Sequence, residues 1–474
     1  MTTTFETDIP ARLDNLAWGR WHWRVVLALG ITWVLDGLEV TIVGALGSVL
    51  QEPDTLGLTA TQVGLSGSTY IAGAILGALL FGHMADRYGR KRLFLVTLAL
   101  YVVATLATAG SVGFVSFAIC RFFTGMGIGG EYSAINSAID ELIPARVRGS
   151  VDLTINGSYW LGTALGAVMS SFLLDPDVLG HALGFRAAFG LGAVLAIAIV
   201  LVRRYVPESP RWLMVRDRHA EALEIVQCIE GECRPFEPDK IPERIRIQVG
   251  GHIGLRRAAR VILQQYRSRA VLGVVLMLAQ AFFYNAIFFT YALTLTKFYA
   301  VPPESIGGYL LPFALGNFLG PLLLGRLFDS VGRRAMIAFT YVASGVMLLV
   351  TGIAFERGML DASTHTWLWS VSFFFASAAA SSAYLTVSEL FPLELRALAI
   401  ALFYAVGTGA GGLVAPVLFG ALIETGSRTE LFYGYALAAG LMIAAGAVAY
   451  RIGVAAERRS LEQIAPPLSA EPQR

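Results

Sequence analysis

The chain has 474 residues, of which 55% are hydrophobic and 15% are charged, and its formal net charge is +2. A water-soluble protein carries about 25% charged residues, so this composition requires a less polar surrounding than water. The near-neutral charge gives no indication of a nucleic-acid partner. The charges are concentrated in short segments between apolar runs, and each run is close to the roughly 20 residues that a helix needs to cross a bilayer.

Twelve apolar segments are long enough to be membrane helices. In chain order they are 24–50, 61–84, 93–111, 113–141, 149–174, 186–205, 270–297, 305–327, 335–355, 365–388, 397–423 and 430–451. The sequence therefore predicts an all-α polytopic membrane protein. Its predicted parts are an N-terminal segment (1–23), a first six-helix half (24–205), a linker with short amphipathic helices (206–268), a second six-helix half (269–451) and a C-terminal tail (452–474).

Cysteine content and the first residues exclude some simple alternatives. The three cysteines, Cys120, Cys228 and Cys233, are an odd number and indicate no disulfide framework. Cys228 and Cys233 lack the further His and Cys residues of a zinc site, so we expect no metal and no cofactor. Residues 1–23 are polar and of mixed charge, so we expect a retained first helix rather than a cleavable signal peptide.

Lysine and arginine cluster in alternate loops, which predicts the orientation of the chain in the membrane. These residues are Arg87, Arg90, Lys91 and Arg92 after helix 2, Arg146 and Arg148 after helix 4, and Arg326, Arg333 and Arg334 after helix 8. Because basic loops stay on the cytoplasmic side, we expect both termini and the linker to be cytoplasmic in a multi-pass plasma-membrane or inner-membrane protein.

Two motifs occur once in each half of the chain. The segment 82–91, which contains Asp86, recurs at 325–334, with an offset of 243 residues between Asp86 and Asp329. The segment 141–148 recurs at 389–396, with an offset of 248 residues. Two motifs repeated at nearly one offset predict two six-helix halves related by an axis along the membrane normal.

The repeated glycine–aspartate–arginine loop resembles the signature of the major facilitator superfamily, and the resemblance covers essentially the whole chain. Four stretches resemble its sugar-porter and metabolite:proton-symporter branches: 207–213 (PESPRWL), 121–129 (RFFTGMGIG), 129–132 (GGEY) and 388–392 (SELFP). The resemblance implies the major facilitator fold and transport of a small solute. Asn156 stands at a glutamine position of sugar porters, and Ala380–Ser381 and Tyr384 replace their Gly-Pro and Trp, which argues against a hexose.

Ionisable residues inside predicted membrane helices are the candidates for proton coupling, because a charge in hydrocarbon costs about 2.5–3.5 kcal/mol. Asp36 and Glu39 are three residues apart and share one face of helix 1. By the resemblance, Glu39 is the proton site and Arg121 its partner; the alternative is a static ion pair. Asp36 is either a second proton site or a group at the end of the helix, and Glu131 either binds solute or protons or bonds to a neighbouring helix.

A set of amides and aromatic residues at family-matched positions predicts a solute site, with interhelical hydrogen bonding as the alternative for any single member. The candidates are Asn156, Trp160, Gln280, Tyr284, Asn285, Asn317 and Tyr384.

Acids accompany the bases in the repeated loops, which topology signals do not explain. The resemblance implies inner-gate salt bridges formed by Asp86, Arg90, Glu141, Arg148, Glu208, Arg211, Asp329, Arg333, Glu389 and Arg396. We treat them as exposed pairs, each worth about 0–1 kcal/mol, whose sum is a latch that can break.

These observations predict a proton-coupled symporter for an organic acid or a sugar-like solute, acting by alternating access. The partners are the solute, protons and the bilayer, with no nucleic acid, and we expect a monomer. A proton-independent facilitator, a drug:proton antiporter and a nutrient receptor on a transporter scaffold are the alternatives. The chain contains no P-loop and no hydrolase or metalloprotease motif, so we expect no enzyme.

Overall fold

A computed structural model describes residues 4–46, 49–173, 178–203, 206–239, 242–248, 254–288, 290–302 and 305–470. This part of the chain is almost entirely α-helical, with one small two-stranded sheet. Nine of its helices have both the length and the hydropathy of a membrane span. The predicted ends of two helices, at 174 and 205, and parts of the predicted linker lie outside the described residues.

The first half begins with a short helix, α1 (Ile9–Asp14), and contains six membrane-crossing units. These are α2 (Arg20–Ala45), α3 (Ala60–Tyr88), α4 (Arg90–Ala109), α5 (Phe114–Leu142), the pair α6 (Arg148–Gly157) and α7 (Tyr159–Leu173), and α8 (Gly180–Arg203). The predicted continuous helix 149–174 is thus interrupted at Ser158. The Ser158 hydroxyl donates to the carbonyls of Ile155 and Gly30, so it competes with the helical hydrogen bonds and ties the break to α2.

The second half repeats this order with two further interruptions. Its units are α12 (Arg267–Phe288) with α13 (Tyr291–Tyr299), α14 (Ile306–Ser330), α15 (Arg333–Glu356), α16 (Ala362–Glu389), α17 (Arg396–Gly407) with α18 (Leu413–Glu424), and α19 (Arg428–Ile452). The predicted helix 270–297 is therefore two helices. The predicted helix 397–423 is one span, in which a wider π turn at Thr408–Gly412 joins α17 to α18, and three of the five residues of that turn are glycine.

The linker and both terminal segments form one layer at one end of the bundle, which we call the terminal face. The linker contributes α9 (Pro210–Val215), α10 (His219–Glu232), β2 (Ile245–Gln248) and α11 (Leu255–Arg260), and the tail contributes α20 (Leu461–Ile464). β2 pairs antiparallel with β1 (Thr4–Thr7) of the N-terminal segment. The predicted linker contained helices only, because a four-residue strand is too short for its alternation to be recognised.

Glycines allow the closest helix contacts in the first half. Gly73 and Gly77 of α3 pack against α5, and Gly125 and Gly129 of α5 pack against α3. A Cβ at Gly129 would stand 1.9 Å from the carbonyl oxygen of Ala74, so only glycine permits this separation. Two further glycines, Gly89 (φ +103°) and the equivalent Gly332 (φ +118°), make the tight turns at the terminal face.

Contacts between the halves are concentrated near the terminal face. Helix α6 of the first half packs on α14 and α16, and α17 of the second half packs on α3 and α5. Large apolar side chains on the outside of the bundle remain exposed, among them Leu27, Val103, Phe172, Leu323 and Val417. An apolar exterior around a polar interface between two halves is the arrangement expected in a bilayer.

Candidate functional site

A cavity of about 150 Å³ lies between the two halves, beyond the contacts of the terminal face. Its lining consists of Trp33, Asn156, Tyr159, Trp160, Gln280, Tyr284, Ser377, Ala380, Ser381 and Tyr384. The cavity brings together five of the seven predicted solute residues: Asn156, Trp160, Gln280, Tyr284 and Tyr384. Half of the lining is aromatic and none of it is charged, so the cavity offers ring faces with a few amide and hydroxyl groups.

Aromatic rings from the two halves face each other across this cavity. Trp160 of α7 stacks on Tyr284 of α12, with 5.8 Å between ring centroids and 29° between planes. Trp33 of α2 meets Tyr384 of α16 edge to face, at 6.3 Å and 72°. A flat ring entering the cavity would therefore contact both halves, and its contacts would depend on how the halves are placed.

Two predicted solute residues lie elsewhere. Asn317 is fully buried behind the lining, where its Oδ1 accepts the hydroxyl of Tyr284 at 2.7 Å. Asn285 donates to the carbonyl of Ala281 at 2.7 Å and lies against Gly412 of the π turn. Asn317 thus orients a lining residue, whereas Asn285 follows Tyr284 by one position, about 100° around the helix, and does not share its face.

The other half of the cavity lining was not predicted from the sequence as part of a solute site. Trp33 precedes Asp36 by three residues and Ser377 precedes Tyr384 by seven, so each shares a helix face with a residue that was recognised. This periodicity was the available signal. Tyr159 and Ala380 adjoin recognised positions, but their contribution depends on the local break at Ser158 and on the packing of α16.

The predicted acidic site forms an ion pair close to the cavity. Arg121 Nη1 lies 2.8 Å from Glu39 Oε1, and each side chain is only 4% exposed. The Arg121 guanidinium also lies over the ring of Tyr70, 4.4 Å from its centroid. One turn closer to the terminal face, Asp36 accepts the hydroxyl of Tyr132, whose ring stacks on the cavity residue Trp33 at 4.7 Å.

Glu131 occupies a separate position, ten residues after Arg121 in α5. Its side chain is buried, with 4% exposure. It is not among the residues that line the cavity.

Two aspartates of the repeated loops cross from one half to the other. Asp329 accepts the backbone N–H groups of Gly149 and Ser150 at the start of α6, at 3.1 and 2.7 Å. Asp86 accepts those of Ala397 and Leu398 at the start of α17, at 3.3 and 2.9 Å. Each carboxylate thus binds the positive end of a helix dipole in the opposite half.

Arginines connect the same segments. Arg90 pairs with Glu141 at 2.9 Å and Arg333 pairs with Glu389 at 3.0 Å, each within its own half. Two more pairs cross between halves: Arg396 with Glu141 at 3.3 Å and Arg148 with Glu389 at 3.6 Å.

The expectation of exposed, individually weak pairs was wrong. No side chain in the pairs of Arg90, Arg148, Arg333 and Arg396 with Asp86, Glu141, Asp329 and Glu389 is more than 8% exposed. The two halves and the terminal layer cover them together. Removing one partner of a buried pair costs about 3–5 kcal/mol. The loss of a single member of these pairs would therefore cost far more free energy than the loss of one member of a surface pair.

Glu208 and Arg211 were expected in salt bridges, and they have different partners from those their spacing indicates. Glu208 accepts the backbone N–H groups of Arg90 and Lys91, at 2.9 and 3.3 Å; burial raises its pKa, and these hydrogen bonds oppose the rise. Arg211 pairs with Asp14 at 3.0 Å and Glu462 at 2.5 Å. Ser209, between them, caps α9 by accepting the backbone N–H of Trp212.

The cysteines show no metal arrangement in the described part of the chain, where no group of three His, Cys, Asp or Glu residues could hold an ion. Cys228 is exposed and Cys233 is buried.

Two similar helical halves with a cavity between them are the architecture of the major facilitator fold. The family model for "Sugar (and other) transporter" matches residues 40–467. The chain belongs to this family and is a membrane transporter rather than an enzyme.

Known proteins are similar over nearly the full length. The niacin transporter NiaP of Acinetobacter baylyi is 27% identical over 460 residues, which is 96% of this chain and 99% of NiaP. The 4-hydroxybenzoate transporter PcaK of the same organism is 25% identical over 430 residues, 88% of each chain. Among solved structures, the proton:xylose symporter XylE bound to 6-bromo-6-deoxy-D-glucose has a TM-score of 0.75 at 18% identity and covers 94% of this chain and 98% of that one.

Proposed function

We propose that this transporter is a proton-coupled symporter for a small aromatic acid. The observation that carries the substrate class is the cavity lining, in which Trp33, Tyr159, Trp160, Tyr284 and Tyr384 surround a volume of about 150 Å³. That volume suits a single substituted ring. The printed names of two similar proteins, transporters of niacin and of 4-hydroxybenzoate, agree with such a solute.

In this proposal, a few polar side chains of the cavity bind the polar groups of the solute. Gln280, Ser377 and Ser381 supply amide and hydroxyl donors for a carboxylate or a ring substituent. Arg121 is held by Glu39 and lies outside the lining. The cavity therefore binds an acid by neutral donors, and protonation elsewhere balances the charge that enters.

Proton coupling rests on Glu39 and its partner. Glu39 and Arg121 are both buried, so protonating Glu39 removes one charge of the pair and leaves the arginine without its counter-ion. In the proposed cycle this change frees α2 to move against α5, which permits the halves to reorient about the cavity. Asp36, linked through Tyr132 to Trp33, connects the acidic site to the cavity wall.

The experiment is uptake into proteoliposomes under an imposed inward proton gradient, with nicotinate, 4-hydroxybenzoate and xylose as probes. We expect the aromatic acids to accumulate and a protonophore to abolish the accumulation. Glu39→Gln should equilibrate the same acid without accumulating it, whereas Glu52→Gln, in an exposed loop, should behave as the wild type. Accumulation of xylose alone would indicate that the substrate is a sugar-like solute. Equilibration of the solute by the wild type, without accumulation, would indicate a facilitator.

We further propose that the terminal face is cytoplasmic and that the protein is a monomer in the cell membrane. Arg87, Arg92, Arg326 and Arg334 lie near the ends of α3, α4, α14 and α15 at this face, and the positive-inside rule places such basic residues on the cytoplasmic side. Cys228 is an exposed thiol of the linker and serves as a native reporter. A membrane-impermeant maleimide should label Cys228 in lysed cells and leave it unlabelled in intact cells. Labelling of Cys228 in intact cells would show that the terminal face lies outside the cell.

A further inference from the structure

Two buried aspartates, Asp140 and Asp152, belong neither to the ion pair at Glu39 nor to the salt bridges of the gate. Asp140 is in the last turn of α5 and Asp152 in the second turn of α6, and both are 0% exposed. The two helices run antiparallel, and the Asn156 amide donates to Asn136 Oδ1 at 3.2 Å. One turn closer to the terminal face, Asp140 and Asp152 are close enough to interact electrostatically.

Neither carboxyl group receives a hydrogen bond within the described residues. All four of their oxygens are buried without a donor, and so is Asn156 Oδ1, on a residue only 7% exposed. Ser388 and Asn156 are close enough to interact with the carboxyls. The Ser388 hydroxyl, however, donates to the carbonyl of Leu385, and the Asn156 amide donates to Asn136 and to the carbonyl of Asp152.

The arginines around this pair already have acidic partners. The ionised groups that face it are Glu141 on α5, Arg148 on α6, Arg333 at the start of α15, Glu389 on α16 and Arg396 on α17. Each of these arginines has acidic partners of its own: Asp14 and Glu389 for Arg148, Asp329 and Glu389 for Arg333, and Glu141 for Arg396. Two further ionised carboxylates would be unpaired charges in a dry interior, which costs several kcal/mol for each.

The second half has no such pair. With the 248-residue offset of the repeated motif, Asp140 corresponds to Ser388 and Asp152 to Ile400. The neighbouring Asn136 and Asn156 correspond to Tyr384 and Tyr404. A feature needed only for helix packing would be expected in both halves, whereas this arrangement of acceptors without donors occurs in one.

We propose that Asp140 and Asp152 form a proton-binding site that holds one shared proton while the gate is closed and releases it when the gate opens. One carboxyl is then a neutral acid that donates to its ionised partner, which supplies the missing donor. Helix α16, with Ser388 and Glu389, covers the pair from the opposite half. Separation of the halves would admit water from the terminal face, hydrate both carboxylates and let the proton leave.

This site differs from the one at Glu39 in its elements and partners, and it does not depend on the substrate or on proton-driven uptake. Asn156 joins it to the solute cavity, because the same side chain lines the cavity and contacts Asp152. A solute that moves Asn156 would alter the environment of the pair. The proton load at the gate would thereby respond to occupancy of the cavity.

The test is infrared spectroscopy of the full-length protein in lipid nanodiscs, titrated with pH in the absence of any solute. A protonated carboxyl has a carbonyl stretching band that an ionised carboxylate lacks. We expect Asp140→Asn and Asp152→Asn each to remove one such band, while Asp361→Asn, at an exposed helix cap, leaves the spectrum unchanged. Glu39→Gln should leave the band of the Asp140–Asp152 pair in place.

A second measurement keeps the proposal testable if an Asn variant is poorly folded. The melting temperature of the wild type should fall as rising pH removes the shared proton, and Asp152→Asn, whose amide can donate to Asp140 at any pH, should lose that dependence. Bands that persist in both Asn variants, or a band that disappears when sodium replaces choline, would overturn the proposal. The first outcome would indicate a pair bridged by water, and the second a sodium site.

Discussion

The carboxylate of Asp329 accepts the backbone N–H of Ser150 at 2.7 Å, so a loop of the second half holds the start of a helix in the first. Asp86 and Leu398 repeat this contact in the opposite sense, at 2.9 Å. At the terminal face the two halves are therefore joined by two carboxylates bound to helix N-termini as well as by salt bridges, and we propose that these contacts form the gate. Both aspartates also pair with an arginine four residues later.

Asp329→Asn should weaken this closure, because an amide lacks the charge that interacts with the helix dipole. A buried contact of this kind is worth about 2 kcal/mol, which corresponds to about a 30-fold change in population towards the open gate. The readout is labelling from the terminal face of a cysteine at the half-buried Thr154, in a background without native cysteines.

The control for this experiment is Asp54→Asn, which removes an exposed aspartate at the opposite end of the bundle. Asp86→Asn should act in the same direction as Asp329→Asn and slow transport. Equal labelling of Thr154→Cys in all these backgrounds would show that the aspartates do not hold the gate.

Trp160→Ala should weaken solute binding, because it removes the ring that stacks on Tyr284 across the cavity. Aromatic pairs contribute about 0.5–1.5 kcal/mol beyond their buried area, so we expect KM for an aromatic acid to rise about 2- to 10-fold. Trp160→Phe keeps an aromatic ring at this position, so it should raise KM less than Trp160→Ala does. Trp367, which is 57% exposed, offers the matched control as Trp367→Ala; identical KM values for the two alanine variants would contradict a role for Trp160.

Glu462→Gln should loosen the C-terminal tail from the gate. Burial lowers the pKa of Arg211, and the charges of Asp14 and Glu462 outweigh that effect and raise it. Loss of the Glu462 charge leaves a fully buried arginine with one acid, at a cost of up to about 3–5 kcal/mol. A lower melting temperature of the purified protein is expected, while Glu424→Gln, at the exposed end of α18, should melt like the wild type.

Gly129→Ala should destabilise the first half more than any exposed glycine substitution. Its new methyl group would overlap the carbonyl of Ala74, so α3 and α5 must separate, at a cost of about 1–3 kcal/mol or more. Gly440→Ala in α19 meets nothing within 4 Å and should be neutral or slightly stabilising. Comparable yields and melting temperatures for both variants would show that the α3–α5 contact tolerates a wider spacing.

Hydropathy and the two repeated motifs predicted a polytopic α-helical protein with two similar halves, and the resemblance implied the major facilitator fold, which the structure and the family match confirm. Five cavity residues were also predictable, because they stand at family-matched positions of helices whose faces follow from periodicity. Asn285 does not line the cavity, because a one-residue step along the helix from Tyr284 turns its side chain away. The roles assigned to Glu39, Asp36, Arg121 and Glu131 remain predictions.

The sequence by itself determined that this protein lies in a membrane, which segments are helical and that the two halves repeat. These properties depend on composition and on spacing along the chain. Only the tertiary structure decided that the gate pairs are buried, that Arg211 binds Asp14 and Glu462, and that Asp140 and Asp152 have no donor. Burial and partner choice depend on segments far apart in sequence: 197 residues separate Asp14 from Arg211, and 251 separate Arg211 from Glu462. The period of a single helix contains no information about such partners, and they are fixed only when the two halves and the terminal layer pack together.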